Sequence, residues 1–486
     1  MQKTSADASG AQARETLNVD ICVIGGGSGG LSMAAAAAAF GQRVVLIEKG
    51  KMGGDCLNYG CVPSKALLAA ARRAHHMREA AKFGIAPVEP DIDYAAVQAH
   101  VRGVIAAIAP NDSVERFFGL GVRVITAAGR FVDRETVEAG EYRIKARRFV
   151  IATGSSPAVP PIPGLKDIPY FTNETIFDNT SKLPHLLIIG GGPIGLELAQ
   201  AHRRLGSEVT IVEGLKALSK DDPELAVVVL DHLRGEGITI REGALVEKIS
   251  GDKGTAVLTL KTDAGAETIE GTHLLIAAGR EPNTADLGLE AAGIKFDKKG
   301  IAVDAGLRTS NKRVYAIGDV AGGLQFTHVA NDHAGIVIRR ILFRLPAKTT
   351  ARAVPWVTFT DPELAHVGLL EEDARKSHGK VNVLRWSFHD NDRAQAERET
   401  SGHIKVVTSQ KGQILGVTIV GAQAGEIIQM WSLAMAQKLK IKAMTDWISP
   451  YPTLSEVNKR AAFRYYASAP GNPFVRKVIS WLAKLG

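Results

Sequence analysis

Asp20-Ile21-Cys22-Val23-Ile24-Gly25-Gly26-Gly27-Ser28-Gly29-Gly30 is the stretch on which the fold turns. Its first residues read as a short buried strand. Gly25-x-Gly27-x-x-Gly30 reads as a tight turn, and the alanine-rich run through Phe40 as a closely packed helix. A second apolar strand, Val44 to Ile47, then ends at Glu48, 18 residues past Gly30. Each part suits one task. Gly25 permits the turn, Gly27 lets backbone approach a pyrophosphate, and Gly30 lets helix pack on strand. The helix start offers N–H groups and partial positive charge to phosphates, and Glu48 is placed to bind ribose hydroxyls. The unit recurs: Leu186 to Ile189, Gly190-x-Gly192-x-x-Gly195, a helix through Leu205, then Val209 to Val212 ending at Glu213. Gly25 to Gly190 and Glu48 to Glu213 both span 165 residues. One glycine fingerprint is weak; two in the same strand–turn–helix–strand setting are strong. Two sites imply two dinucleotides, one held and one exchanged. The Glu213 carboxylate disfavours a 2′-phosphate, so NADH is favoured over NADPH at the second site.

The remaining composition narrows the class. A chain of 486 residues needs about three domains. No apolar run is long enough for a spanning helix, and residues 1–17 read as a polar, disordered leader. Three cysteines exclude a disulfide scaffold and favour a reducing, cytoplasmic setting, with Cys22 an ordinary core residue. The net charge of +8 is local: six of the positive charges (Lys459, Arg460, Arg464, Arg476, Lys477, Lys484) follow Glu456, the last acidic residue. A nucleic-acid-binding body is not expected.

Beside the first glycine unit stands Gly53-Gly54-Asp55-Cys56-Leu57-Asn58-Tyr59-Gly60-Cys61-Val62-Pro63-Ser64-Lys65. Four residues separate the cysteines, which is not the spacing of a zinc knuckle. Pro63 suits a first helical turn, so Cys61 is expected at a helix N-terminus, where the dipole favours thiolate. Lys65, four residues on, returns to the face of Cys61.

From about Asp20 to about Arg460 the sequence resembles the pyridine nucleotide–disulfide oxidoreductases, including dihydrolipoamide dehydrogenase, glutathione reductase and mercuric reductase. Ala152-Thr153-Gly154 and Ala277-Ala278-Gly279-Arg280 resemble the motifs where the chain leaves each dinucleotide domain. Val314 to Asp319 resembles the second flavin motif, and Thr360 to Gly368 the start of the dimerisation domain. The resemblance implies an α/β fold with two Rossmann-like domains and a C-terminal α+β dimerisation domain. Its expected bounds are 18–160 with 282–350 for FAD, 161–281 for NAD(P) and 351–470 for dimerisation, followed by a basic amphipathic tail, 471–486. It implies FAD held by Gly25, Gly27, Gly30, Glu48, Lys49, Gly54, Lys65, Thr153, Gly154, Gly318, Asp319 and Thr327. The nicotinamide dinucleotide would be held by Gly190, Gly192, Gly195, Glu213 and Gly279. Cys61 would be the thiolate against the flavin, Cys56 the thiol that attacks the acceptor, and Lys65 with Glu197 an ion pair near the flavin. Tyr451 and Glu456 would complete the other subunit's site in a homodimer. His328 and His333 are read as structural, and His389 to Arg393 as a solvated loop.

One segment departs from the disulfide-reducing members. Where they carry a proton-shuttling histidine, this chain has Tyr451, in Pro450-Tyr451-Pro452-Thr453-Leu454-Ser455-Glu456. A tyrosine titrates near pH 10 rather than about 6.5 and is poorly suited to proton transfer at neutrality. Tyrosine here resembles mercuric reductases, although no cysteine pair follows Cys61 in this sequence. Three acceptors stay open: a thiophilic metal ion or small oxidised molecule; a disulfide, with Tyr451 or Glu456 replacing the histidine; and a quinone or protein reached from a membrane surface. The last draws on Pro473 to Leu485, whose helical spacing sets Phe474, Val478, Ile479, Trp481 and Leu482 apart from the basic residues. It places the protein in the cytoplasm, peripheral to the inner face of a membrane.

Overall fold

The computed structural model describes residues 14–263, 265–349 and 354–485. The chain divides into two compact units. The first is built from Met1–Val62, Gly103–Ser156 and Arg280–Thr349, the second from Pro63–Arg102, Pro157–Gly279 and Thr350–Gly486.

In the first unit β1 (Glu15–Ile24) runs parallel to β2 (Val44–Glu48) on one side and to Tyr142–Ile151 on the other. Val122–Thr126 extends the sheet beyond β2, and Val314–Ala316 pairs with Tyr142–Ile151. Ile21, Cys22, Val23 and Ile24 are all buried, as a parallel strand covered on both faces requires. Helix α1 (Ser28–Ala39) packs on one face with the helix Thr327–Ile341. Glycine and alanine make that approach possible: a Cβ on Gly29 would stand 3.2 Å from Ala330. Each fully buried Leu, Ile or Phe of this core contributes about 1.5–3 kcal/mol. Of the expected leader, residues 1–13 lie outside the described residues. Glu15 to Leu17 belong to β1 instead, paired with Tyr142 to Ile144. Leu17 is buried while Glu15 and Thr16 face solvent, so the polar sequence concealed a strand end.

The second unit holds a four-stranded parallel sheet in the order Thr239–Arg241, Glu208–Val212, His185–Ile189, His273–Ile276. It also holds a three-stranded antiparallel sheet (Leu245 to Gly271) and a five-stranded one. The latter runs Pro355–Thr358, Glu363–Gly368, Ile414–Gly421, His403–Ser409, Val381–Ser387, with Trp431 buried beneath it. The first unit breaks off at Ser156 and resumes at Arg280. Residues 63–102, expected with the flavin domain, group instead with the second unit. Their partners explain it: Lys65 pairs with Glu197, Arg78 donates to the Arg204 carbonyl at 2.7 Å, and the Tyr94 hydroxyl meets His202 Nδ1 at 3.1 Å.

Candidate active site

The redox segment runs from a short helix, α2 (Gly54–Asn58), to the first residues of α3 (Cys61–Arg78). Gly53, at φ 86°, caps α2, and the Asn58 amide donates back to the Met52 and Gly54 carbonyls, closing the turn. Cys61 is the first residue of α3, two positions ahead of Pro63, among N–H groups that no helical carbonyl satisfies. Cys56 and Cys61 stand as a dithiol, the Cys56 thiol hydrogen-bonded to Cys61. That bond, with burial and the charge of Cys61 adding to it, pushes the Cys56 thiol well above the usual thiol range. The Thr327 hydroxyl reaches both sulfurs, 3.5 Å from Cys61 Sγ and hydrogen-bonded to Cys56, where it opposes the rise. The arrangement holds the proton on Cys56.

The two glycine turns are built alike. A Cβ on Gly30 would stand 1.9 Å from the Gly25 carbonyl oxygen, and one on Gly195 2.0 Å from that of Gly190. The third glycines are therefore packing residues. A Cβ on Gly27 would meet only Gly54 Cα at 3.9 Å, and one on Gly192 nothing within 4 Å. The second glycines leave open backbone, as a pyrophosphate cradle needs. Glu48 accepts from the Gly26 N–H at 2.5 Å and the Gly50 N–H at 2.6 Å. Glu213 accepts from the N–H groups of Gly191 at 2.8 Å and Leu215 at 2.9 Å. Each carboxylate is thus held against its glycine turn, and both cradles fit a dinucleotide. Lys49 is exposed beside the first.

Sequence reading missed several side chains around the first cradle. Arg280 donates through Nε to the Ser155 hydroxyl at 2.7 Å and through Nη2 to the Ser155 carbonyl at 2.8 Å, and Nη2 lies 3.1 Å from Asp55 Oδ1. The Ser155 hydroxyl donates to Asp319 Oδ2 at 2.6 Å. Burial raises the Asp319 carboxyl above its ordinary range, with this hydrogen bond and Arg280 opposing. Asn283 ties the exit strand to the returning one: its amide donates to the Thr153 carbonyl at 2.9 Å, and its N–H to the Gly154 carbonyl. Gly318, at φ 69°, donates its N–H to His333 Nδ1 at 3.2 Å, a structural role for that histidine. The arginine following Gly279 and the acid preceding Cys56 were the available signals, but nothing local links two residues 225 positions apart.

In the second unit Lys65 Nζ donates to Glu197 Oε2 at 2.7 Å and lies 4.3 Å from the centre of the Phe359 ring. Glu197 is buried, and its other oxygen accepts from the Phe359 N–H at 2.9 Å. Tyr451 is exposed, and its hydroxyl donates to Asp392 Oδ2 at 2.8 Å, which raises the phenol above its ordinary value. Glu456, at the start of Glu456–Phe463, pairs with Arg460 at 2.7 Å. The loop read as solvated is partly structural. Asn391 is buried, caps the helix Asp392–Glu397 and donates to the Thr453 carbonyl at 3.0 Å, holding the Tyr451 segment. Among the described residues no cluster of three or more His, Cys, Asp or Glu side chains is arranged to bind a metal ion. Nor is any described helix long and apolar enough to cross a membrane.

Two dinucleotide cradles, with a cysteine pair following the first in sequence, define a flavin-dependent, nicotinamide-using disulfide oxidoreductase. The chain belongs to the pyridine nucleotide–disulphide oxidoreductase family, whose model matches residues 19–334, with the family's dimerisation domain over 354–462. It is 35% identical over 452 residues to the mercuric reductase of Lysinibacillus sphaericus, covering 92% of this chain and 83% of that one. Dihydrolipoyl dehydrogenase of Geobacillus stearothermophilus is 34% identical, covering 92% and 96%. The Cu(II) complex of the HOCl-induced flavoprotein disulfide reductase RclA from Escherichia coli superposes with a TM-score of 0.82 at 29% identity, covering 91% and 99%. The chain is therefore an FAD-dependent, NAD(P)H-using enzyme, and its dimerisation domain supports a homodimer.

Proposed function

We propose that the enzyme passes two electrons from NADH to the Cys56–Cys61 pair and from there to a thiophilic metal ion or a small oxidised substrate. Bound FAD supplies the two-electron relay between nicotinamide and cysteines. In this reading Gly25, Gly27, Gly30, Glu48, Lys49, Gly54, Thr153, Gly154, Gly318, Asp319 and Thr327 hold the flavin, with Lys65 and Glu197 beside it. Gly190, Gly192, Gly195, Glu213 and Gly279 hold the nicotinamide dinucleotide. Cys61 carries the thiolate at the start of α3, and Cys56 meets the acceptor. Tyr451 and Glu456 are supplied to the partner subunit's site.

The observation that carries the choice of acceptor is Tyr451 bonded to Asp392, because proton accounting separates the candidates. A divalent ion is reduced as M²⁺ + NADH → M⁰ + NAD⁺ + H⁺, which requires no proton delivery. A disulfide, R–S–S–R + NADH + H⁺ → 2 R–SH + NAD⁺, takes up one proton per turnover, as does a quinone. A phenol whose proton is held more tightly by Asp392 is a poor donor at neutral pH. The relatives named mercuric reductase support the same choice. Anaerobic titration with NADH tests the electron route: a long-wavelength absorbance band at two electrons, lost in Cys61→Ser, is expected. Turnover of mercuric or cupric ion should then exceed that of lipoamide, glutathione disulfide and soluble quinones. Absence of the band, or turnover confined to quinones, would overturn the reading.

We also infer a peripheral contact with the cytoplasmic face of a membrane through the helix Pro473–Leu482. Phe474, Ile479 and Trp481 are 74%, 59% and 61% exposed on it. Arg476, Lys477 and Lys484 flank that face with no acid after Glu456, a charge pattern suited to anionic lipid. Binding to vesicles rich in phosphatidylglycerol should be lost on truncation after Pro470. Equal binding by both forms, or a dimer that falls apart on truncation, would assign the helix elsewhere.

A further inference from the structure

The residue before Cys56 is an acid with a built partner. Asp55 lies in the first turn of α2, and its Oδ1 is 3.1 Å from Arg280 Nη2. That guanidinium is nearly buried and fixed by two hydrogen bonds to Ser155, so it cannot follow Asp55 if the turn moves. Asp319 Oδ2 stands 4.0 Å from its Nε. One guanidinium is therefore shared by two carboxylates at the base of the redox turn. Asp55 is still one-third exposed, and its other oxygen lies over Gly60, where a Cβ would approach it to 2.8 Å. The carboxylate is thus locked inside the loop that joins the two cysteines.

We propose that Asp55, held by Arg280, is a specificity-determining residue that biases the dithiol toward cationic acceptors and away from anionic ones. The inference rests on Cys56 being the thiol that meets the acceptor. The Asp55 charge also acts to hold the proton on Cys56, so the same carboxylate is electrostatically coupled to that sulfur. The protein as a whole carries a net charge of +8, which taken alone would attract anions. The local acid and the global charge therefore predict opposite preferences.

Three disulfides of like chemistry and different charge test this: cystamine with two ammonium groups, neutral hydroxyethyl disulfide, and dithiodipropionate with two carboxylates. In each, the Cys56 sulfur attacks one acceptor sulfur, the acceptor S–S bond breaks and one thiol departs with a proton. The Cys61 sulfur then attacks Cys56, the mixed disulfide breaks and the second thiol departs with another proton. NADH returns two electrons and one proton comes from solvent, balancing R–S–S–R + NADH + H⁺ → 2 R–SH + NAD⁺. A unit charge about 6 Å away through a water-like medium changes a rate roughly threefold. Because the change is opposite for cation and anion, Asp55→Asn should lower the cystamine to dithiodipropionate ratio of kcat/KM about tenfold. Asp55→Glu should restore most of it. An unchanged ratio in Asp55→Asn overturns the proposal. Cys56→Ser separates this from failure of the underlying reading. If it is inactive while the ratio does not move, only the role of Asp55 falls; if it turns over all three disulfides, the dithiol reading itself falls. Should Asp55→Asn lose its flavin, salt titration of the wild-type enzyme decides. Local control by Asp55 requires salt to slow cystamine and speed dithiodipropionate, and the reverse overturns the proposal.

Discussion

Replacing Gly27 by alanine should separate folding from flavin binding. The residue sits at φ −83°, a conformation alanine adopts without strain, and its new Cβ would meet only Gly54 Cα at 3.9 Å. Ordinary van der Waals contact and a stiffer unfolded chain should leave the flavin-free protein unchanged or up to about 1 kcal/mol more stable. A methyl group facing the open cradle nevertheless occupies the approach of a pyrophosphate. Overpacking of that kind costs about 1–3 kcal/mol, or roughly 5- to 150-fold in Kd for FAD. Gly30→Ala is the control: its Cβ, 1.9 Å from the Gly25 carbonyl oxygen, cannot be accommodated without moving backbone, so both stability and binding should fall. The assay is thermal unfolding of deflavinated protein together with titration of FAD by fluorescence quenching. If Gly27→Ala binds FAD as tightly as wild type, the cradle is not at this turn. If its flavin-free form is also strongly destabilised, the separation of packing from binding glycines is wrong.

Glu213 accepts two backbone N–H bonds that hold it against the second glycine turn, so Glu213→Ala should shift the NADH to NADPH ratio of kcat/KM toward NADPH by about tenfold or more. Lys405 is buried with its Nζ 2.9, 3.0 and 2.8 Å from Asp222, Glu224 and Glu371. Lys405→Met strands those carboxylates and should cost about 3–5 kcal/mol in urea unfolding; a loss under 1 kcal/mol would show the cluster to be well solvated. His202 and His366 are buried, and burial lowers each to about 4. The unfolded chain takes up these protons near 6.5 and the folded chain only near 4, so stability present above pH 6.5 is lost as pH falls toward 4. The loss is on the order of 3 kcal/mol per histidine. Equal denaturation midpoints at pH 7.5 and 5 would contradict it.

Legibility followed sequence distance. The glycine turns, their closing acids and the cysteine pair were readable because each works within about 30 residues, through turn geometry and strand–helix packing that residue type alone dictates. Their repetition at 165 residues by itself discloses two dinucleotide folds. Thr327 and Glu197 were reachable only through family resemblance, since composition gives a threonine or a glutamate no address.

The tertiary structure alone decided the rest. Asp55 and Arg280 meet because the chain re-enters the first unit beside the redox turn. Lys405 gains three acids from two distant segments, and Asn391, in a stretch that reads as surface, is buried under Thr453. Leu17 belongs to the core only because Ile144 extends beside it. Local motifs report what the backbone must do within a turn or a strand. Which charges face one another depends on loop closures spanning up to hundreds of residues, and those are settled only when the sheets and helices have packed.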